Sequence, residues 1–82
     1  MFSVVVEQVF QIAGRGVVIR GTLTAGAQPR AGEVVTVHAE GQFSMTAVVQ
    51  GIDPGVPPPK VGLLLSGVSR QQVPVGARLT AP

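Results

Sequence analysis

Hydrophobic and polar residues alternate along most of this chain, and the alternation is broken every few positions by glycine or proline. From Phe2 to Ile12, the residues Phe2, Val4, Val6, Phe10 and Ile12 share one face, with Gln8 as the exception, while Ser3, Val5, Glu7, Val9 and Gln11 share the other. A period of two is the pattern of a β-strand. Gly14-Arg15-Gly16 then turns the chain into a second strand, Val17 to Thr24, in which Val17, Ile19 and Leu23 oppose Val18, Arg20, Thr22 and Thr24. Val34 to Ala39 and Phe43 to Gln50 flank Glu40-Gly41-Gln42, a tight hairpin signal. Val61 to Ser66 is a short apolar strand, and Arg78 to Thr80 closes the series. The pattern predicts six strands. Helix is excluded on spacing, because 11 glycines and 7 prolines leave no uninterrupted run of useful length.

Six short strands separated by turns predict a small, closed, six-stranded antiparallel β-barrel, since closure removes the edges that a flat sheet would expose. Residues 1–82 form one domain in this reading, with room for a single modest core. A weak internal repeat supports the strand starts. Gln28-Pro29-Arg30-Ala31-Gly32-Glu33-Val34-Val35-Thr36 resembles Gln72-Val73-Pro74-Val75-Gly76-Ala77-Arg78-Leu79-Thr80, each a turn that launches a strand ending in threonine. It reads either as a true repeat or as two generic barrel corners. Asp53-Pro54-Gly55-Val56-Pro57-Pro58-Pro59 is expected to be stiff and extended, as a crossover between strands or a binding loop.

Apolar residues occur on both faces of the strands (Val5, Val9, Val18, Val34, Val48 and Leu64), and no helix is available to cover the outer face. Charged residues are only 12% of the chain, about half the usual share. Both features predict a docked protein partner or self-association. The net charge is +2, while the pI of 10.6 reflects the absence of Cys and Tyr rather than a basic tail. No apolar run reaches the roughly 18 residues of a membrane helix. The N-terminal Met1-Phe2-Ser3-Val4 lacks the basic lead of a signal peptide, so a cytoplasmic location is the expectation.

The Gly14-Arg15-Gly16 turn with its following Val17-Val18-Ile19-Arg20-Gly21 resembles the second, β-barrel domain of translational GTPases of the elongation factor Tu kind. Gly26, Gly32, the block Val61-Gly62-Leu63-Leu64-Leu65-Ser66-Gly67 and the ending Pro74 to Pro82 continue the likeness in order and spacing. The resemblance covers roughly Val6 to Pro82. It implies a six-stranded barrel that packs on a GTPase domain and contacts ribosomal RNA of the small subunit. In tRNA carriers it also implies contact with the aminoacyl end of tRNA. Two departures stand against that last role. The block ahead of the Leu-Leu strand is short here, Gly51 to Pro59, and Lys60 and Ser66 stand where asparagine and arginine are common. Aminoacyl-tRNA capture is therefore not expected. No Gly-x-x-x-x-Gly-Lys-Ser/Thr sequence is present, so the chain carries no GTPase of that family. It reads equally as a stand-alone barrel and as a translation elongation factor fragment.

Candidate chemistry is sparse. Gly14 and Gly16 set Arg15 on a turn, where a guanidinium can pair with phosphate or carboxylate. Arg20 and Arg30 complete the set of candidate RNA- or partner-binding residues, with Arg70 as a further cation. His38 is the only histidine; with a single neighbouring carboxylate it makes no metal site, and Ser44 or Ser66 is the only imaginable partner for a dyad. Glu7, Glu33, Glu40 and Asp53 are scattered singly, without the paired spacing of acid–base chemistry. We expect no catalytic residues, no cofactor and no metal. Phe2, Phe10 and Phe43 all fall on faces assigned to the interior, which argues against nucleic-acid binding by stacking.

Overall fold

Six strands form where the alternation places them, and the computed structural model describes residues 1–42 and 44–82. The strands are β1 (Phe2–Ile12), β2 (Gly16–Gly26), β3 (Val34–His38), β4 (Met45–Ile52), β5 (Lys60–Ser66) and β6 (Arg78–Thr80). They close into an antiparallel barrel in the order β1-β2-β5-β4-β3-β6. The one helical segment among the described residues is a 3-10 turn, Arg70–Gln72. Phe43 lies outside the described residues, so its expected place in the interior has no counterpart here.

The core is the inner row of each strand. Val4, Val6, Val17, Ile19, Val35, Val37, Val49, Leu63, Leu65 and Leu79 are all buried, joined by Val73 from the loop before β6. Each such side chain contributes about 1.5–3 kcal/mol. None of the described residues that are buried is polar or charged, so the barrel is held by apolar packing and its hydrogen-bonded ladder.

β-Bulges correct the sequence reading in three places. Between Val6 and Gln8 the β1–β2 register slips, leaving Glu7 as an extra residue. One extra residue moves every later side chain to the opposite face. Phe10 and Ile12, expected inside, are therefore exposed, at 50% and 42%, whereas Val9 turns in against the core. The odd position of Gln8 in the alternation marks this slip. A second irregularity leaves Thr24 unpaired in β2, and the strand runs on to Gly26. A third leaves Gln50 unpaired in β4, which continues past the expected stop to Ile52.

The repeat is structural and extends to the whole barrel. Gly32 N–H donates to Val49 O at 2.7 Å, and Val49 N–H donates to Glu33 O at 2.9 Å. Gly76 N–H likewise donates to Val6 O, and Val6 N–H to Ala77 O, both at 2.8 Å. Val49 and Val6 each precede a bulge. In the ladders, Thr36 pairs with Thr80 and Ile19 with Leu63, so residues the same distance apart in the chain face each other in both β2–β5 and β3–β6. A pseudo-two-fold axis thus exchanges β1-β2-β3 with β4-β5-β6.

Candidate functional site

The pseudo-symmetry breaks on the outer wall, where two clefts flank the β2–β5 contact. The larger, about 550 Å³, is charged and is lined by Glu7, Arg20, Asp53, Val56, Pro57 and Lys60. The smaller, about 290 Å³, is mostly apolar and is lined by Val18, Gly51, Ile52, Leu63 and Leu64, with Asp53 shared between the two. Gln8 and Arg20 of the first occupy the positions that Gly51 and Leu64 hold in the second half. Equivalent backbone therefore carries Gln8 and Arg20 on one side and Gly51 and Leu64 on the other, with the Asp53 carboxylate bordering both clefts.

The charged cleft is built on a closed hydrogen-bonded triangle. Lys60 Nζ donates to Glu7 Oε1 at 2.8 Å, to Glu7 Oε2 at 3.1 Å and to Thr22 Oγ1 at 2.8 Å. Thr22 Oγ1 in turn donates to Glu7 Oε2 at 3.0 Å. Thr22 pairs with Lys60 in the ladder, and the bulge swings Glu7 out to meet both. The Lys60 ammonium, and after it the Thr22 hydroxyl, hold the Glu7 carboxyl below its ordinary pKa. Across the cleft, Arg20 Nη2 lies 3.6 Å from Asp53 Oδ2. Both pairs are about half exposed, and such pairs contribute more to orientation than to stability.

The proline-rich segment that roofs the cleft is neither extended nor a crossover. Because β4 and β5 are antiparallel neighbours, it is a long hairpin loop, folded into turns at Pro54–Gly55 and Pro58–Pro59. Asp53 N–H donates to Gly62 O at 2.9 Å, Gly55 N–H donates to Asp53 Oδ1 at 2.9 Å, and Leu23 N–H donates to Pro59 O at 2.8 Å. These bonds strap the loop to the barrel wall.

The sequence-derived cations do not converge. Arg15 sits at the exposed β1–β2 turn, where its N–H donates to Ile12 O at 3.0 Å, with Gly14 and Gly16 at φ 74° and 127° on either side. A Cβ at Gly16 would also lie 2.3 Å from Leu65 O, so the turn tolerates only glycine there. Arg20 lies in the charged cleft, and Arg30 is exposed in the turn before β3. Among the described residues, only Arg20 and Lys60 of the cations form ion pairs. Glu7 and Lys60 were missed as site residues. Their signal lay in the broken alternation at Gln8, which announces a bulge without saying what the bulge brings together.

His38 stands at the end of β3, with Nε2 at 2.9 Å from Thr80 Oγ1 and Nδ1 at 3.2 Å from Ser44 Oγ. Thr80 Oγ1 spends its proton on Ala81 O at 3.2 Å. It therefore accepts from Nε2–H, which leaves Nδ1 to accept from Ser44. Ser66, the other imagined partner, instead accepts from Gln50 Nε2 at 3.0 Å. This hydrogen-bonded series ends on a backbone carbonyl, with no carboxylate in it among the described residues. Among the described residues no group of three or more His, Cys, Asp or Glu side chains could hold a metal ion, and no helix is long and apolar enough to cross a membrane. Compared with models of known protein families, the chain matches none.

Proposed function

We propose that this chain is a non-enzymatic docking and scaffolding module. It is a barrel similar to the second domain of elongation factor Tu, carrying no phosphate-binding Gly-x-x-x-x-Gly-Lys-Ser/Thr motif, that joins a protein surface. The observation that carries this reading is a continuous apolar row on the outer wall. Phe10 pairs with Val18, and Val18 with Leu64, so three strands present aliphatic and aromatic groups side by side, bordered by the apolar cleft. With so few charged residues the chain has little to keep such a row solvated. A photo-crosslinking residue in place of Leu64 tests it. A discrete protein adduct is expected, absent when the same group replaces Gln42, which is exposed in the β3–β4 turn. Equal labelling at both positions would remove the support.

A second reading, a ribosome-associated module binding RNA backbone, draws on Arg15. Its guanidinium stands on an exposed turn and forms no ion pair with any described residue. Arg20 supports it less, being committed to Asp53, and Arg30 lies on a separate loop. Phosphate contacts release counterions, so affinity for ribosomal RNA would fall steeply with salt, and Arg15→Ala would flatten that slope. Aminoacyl-tRNA capture stays outside the proposal. Lys60, at the position where asparagine is common, is engaged with Glu7 and Thr22, and the short proline loop is strapped over the cleft.

A further inference from the structure

Barrel closure is incomplete, and the place where it fails points to a partner. β1 pairs with β6 only through Ser3, Val4 and Val5, with Val6 adding its two bonds to Gly76 and Ala77. Beyond the Glu7 bulge, β1 runs on from Gln8 to Ile12 with β2 on one side and no strand on the other. The 3-10 turn at Arg70–Gln72 packs beside β1 but makes no backbone hydrogen bond to it among the described residues, so the strand's free N–H and C=O groups stay unpaired by backbone. In the other half of the pseudo-symmetric barrel this edge is cut short. Val9 corresponds to Ile52, where β4 ends and the chain leaves into the strapped proline loop. Only β1 carries three further residues, Phe10, Gln11 and Ile12, all exposed.

Exposed strand edges are ordinarily blunted by lysine, proline or a covering segment, because their free N–H and C=O groups recruit another strand. Gln8-Val9-Phe10-Gln11-Ile12 has no charge and no proline. Of the charges at its ends, Glu7 is taken up by Lys60, and Arg15 forms no ion pair with a described residue. A second copy laid antiparallel keeps the two Arg15 side chains at opposite ends of the joined edge, and a parallel one brings them together. The apolar row also ends at this edge, with Phe10 outermost, so an antiparallel mate continues Leu64, Val18 and Phe10 into the same row of the second barrel.

We infer that the Gln8–Ile12 edge of β1 is a self-association surface on which a second copy of this chain pairs antiparallel, joining two barrels through one continuous sheet. The inference rests on the docking reading and names its partner. In the two-fold register centred on Phe10, Gln8 faces Ile12 of the second copy and Val9 faces its Gln11. Such an edge is small beside standard interfaces, so the dimer forms reversibly rather than as an obligate assembly.

Sedimentation equilibrium of the intact chain over micromolar to millimolar concentrations, paired with amide hydrogen exchange, tests this. The mass is expected to rise with concentration from 8.4 kDa to twice that value, with new protection confined to amides of Gln8–Ile12. Phe10→Lys places two like charges on the axis and removes an aromatic pair, weakening the dimer by roughly tenfold or more. Val34→Lys, at an exposed apolar residue of β3, which pairs with β4 and β6 and not with β1, leaves it intact. Unchanged circular dichroism shows that both variants fold. A dimer that survives Phe10→Lys, or protection appearing elsewhere, overturns the edge and leaves the docking reading standing. A wild-type chain that stays monomeric while the Leu64 crosslinker captures a protein overturns the inference alone. A monomer with no adduct overturns both.

Discussion

Gly21 is the residue on which the wall between β1 and β2 depends most directly. It faces inward opposite Val6, in the last pair before the Glu7 bulge. A Cβ built there would lie 2.1 Å from Val5 O, 3.0 Å from Val5 C and 3.2 Å from a Val4 methyl. Real Cβ contacts stay beyond 3.0 Å, so Gly21→Ala forces β1 back by about 0.9 Å against its own backbone. No side chain can rotate to absorb that. The displacement strains one or two ladder hydrogen bonds, about 0.5–1.5 kcal/mol each, on top of an overpacking cost of about 1–3 kcal/mol. We expect a loss of about 2–4 kcal/mol by urea denaturation, a large share of the total for a domain this small. Gly51→Ala is the control, because it sits at the equivalent bulge of the other half with nothing within 4 Å of its Cβ. By stiffening the unfolded chain it is expected to be neutral or to stabilise by up to about 1 kcal/mol. Equal effects of the two substitutions would refute the close-approach argument.

The bulge itself is testable by truncation. Leu63→Ala removes a buried core side chain and is expected to cost about 2–5 kcal/mol, whereas Phe10→Ala is expected to cost less than about 1 kcal/mol. A loss of about 3 kcal/mol or more for Phe10→Ala in the same denaturation assay would return that ring to the interior. Glu7, with its folded pKa lowered, contributes stability that is whole above the ordinary carboxyl value of 4.5 and fades as pH falls through the lower folded value. Glu7→Gln is therefore expected to flatten that part of an acid denaturation profile, and added salt to shrink the difference between the two proteins. An identical acid limb in both would show that the Lys60 contact has no thermodynamic weight.

Strand positions, the all-β class and the six-stranded count were determined by the sequence alone, because period-two alternation and glycine–proline spacing act locally. The inner row of β2 and β5, Val17, Ile19, Leu63 and Leu65, lies buried where alternation puts it. The turn signals at Gly14-Arg15-Gly16 and Glu40-Gly41-Gln42 also hold, the latter closed by a Gln42 N–H donating to Ala39 O at 3.2 Å. What alternation cannot carry is a slip. An extra residue at Glu7 or Gln50 costs nothing visible in composition, yet it reverses every face beyond it, and so Phe10 moved from core to surface. Only the tertiary structure decided which distant groups meet. Lys60 reaches Glu7 because β2 lies between β1 and β5, an order that no local pattern encodes. The repeat shows the same division. One block of it was legible in the chain, but the axis relating the two halves, and the bare β1 edge that breaks it, exist only once Ile19 faces Leu63 and Thr36 faces Thr80.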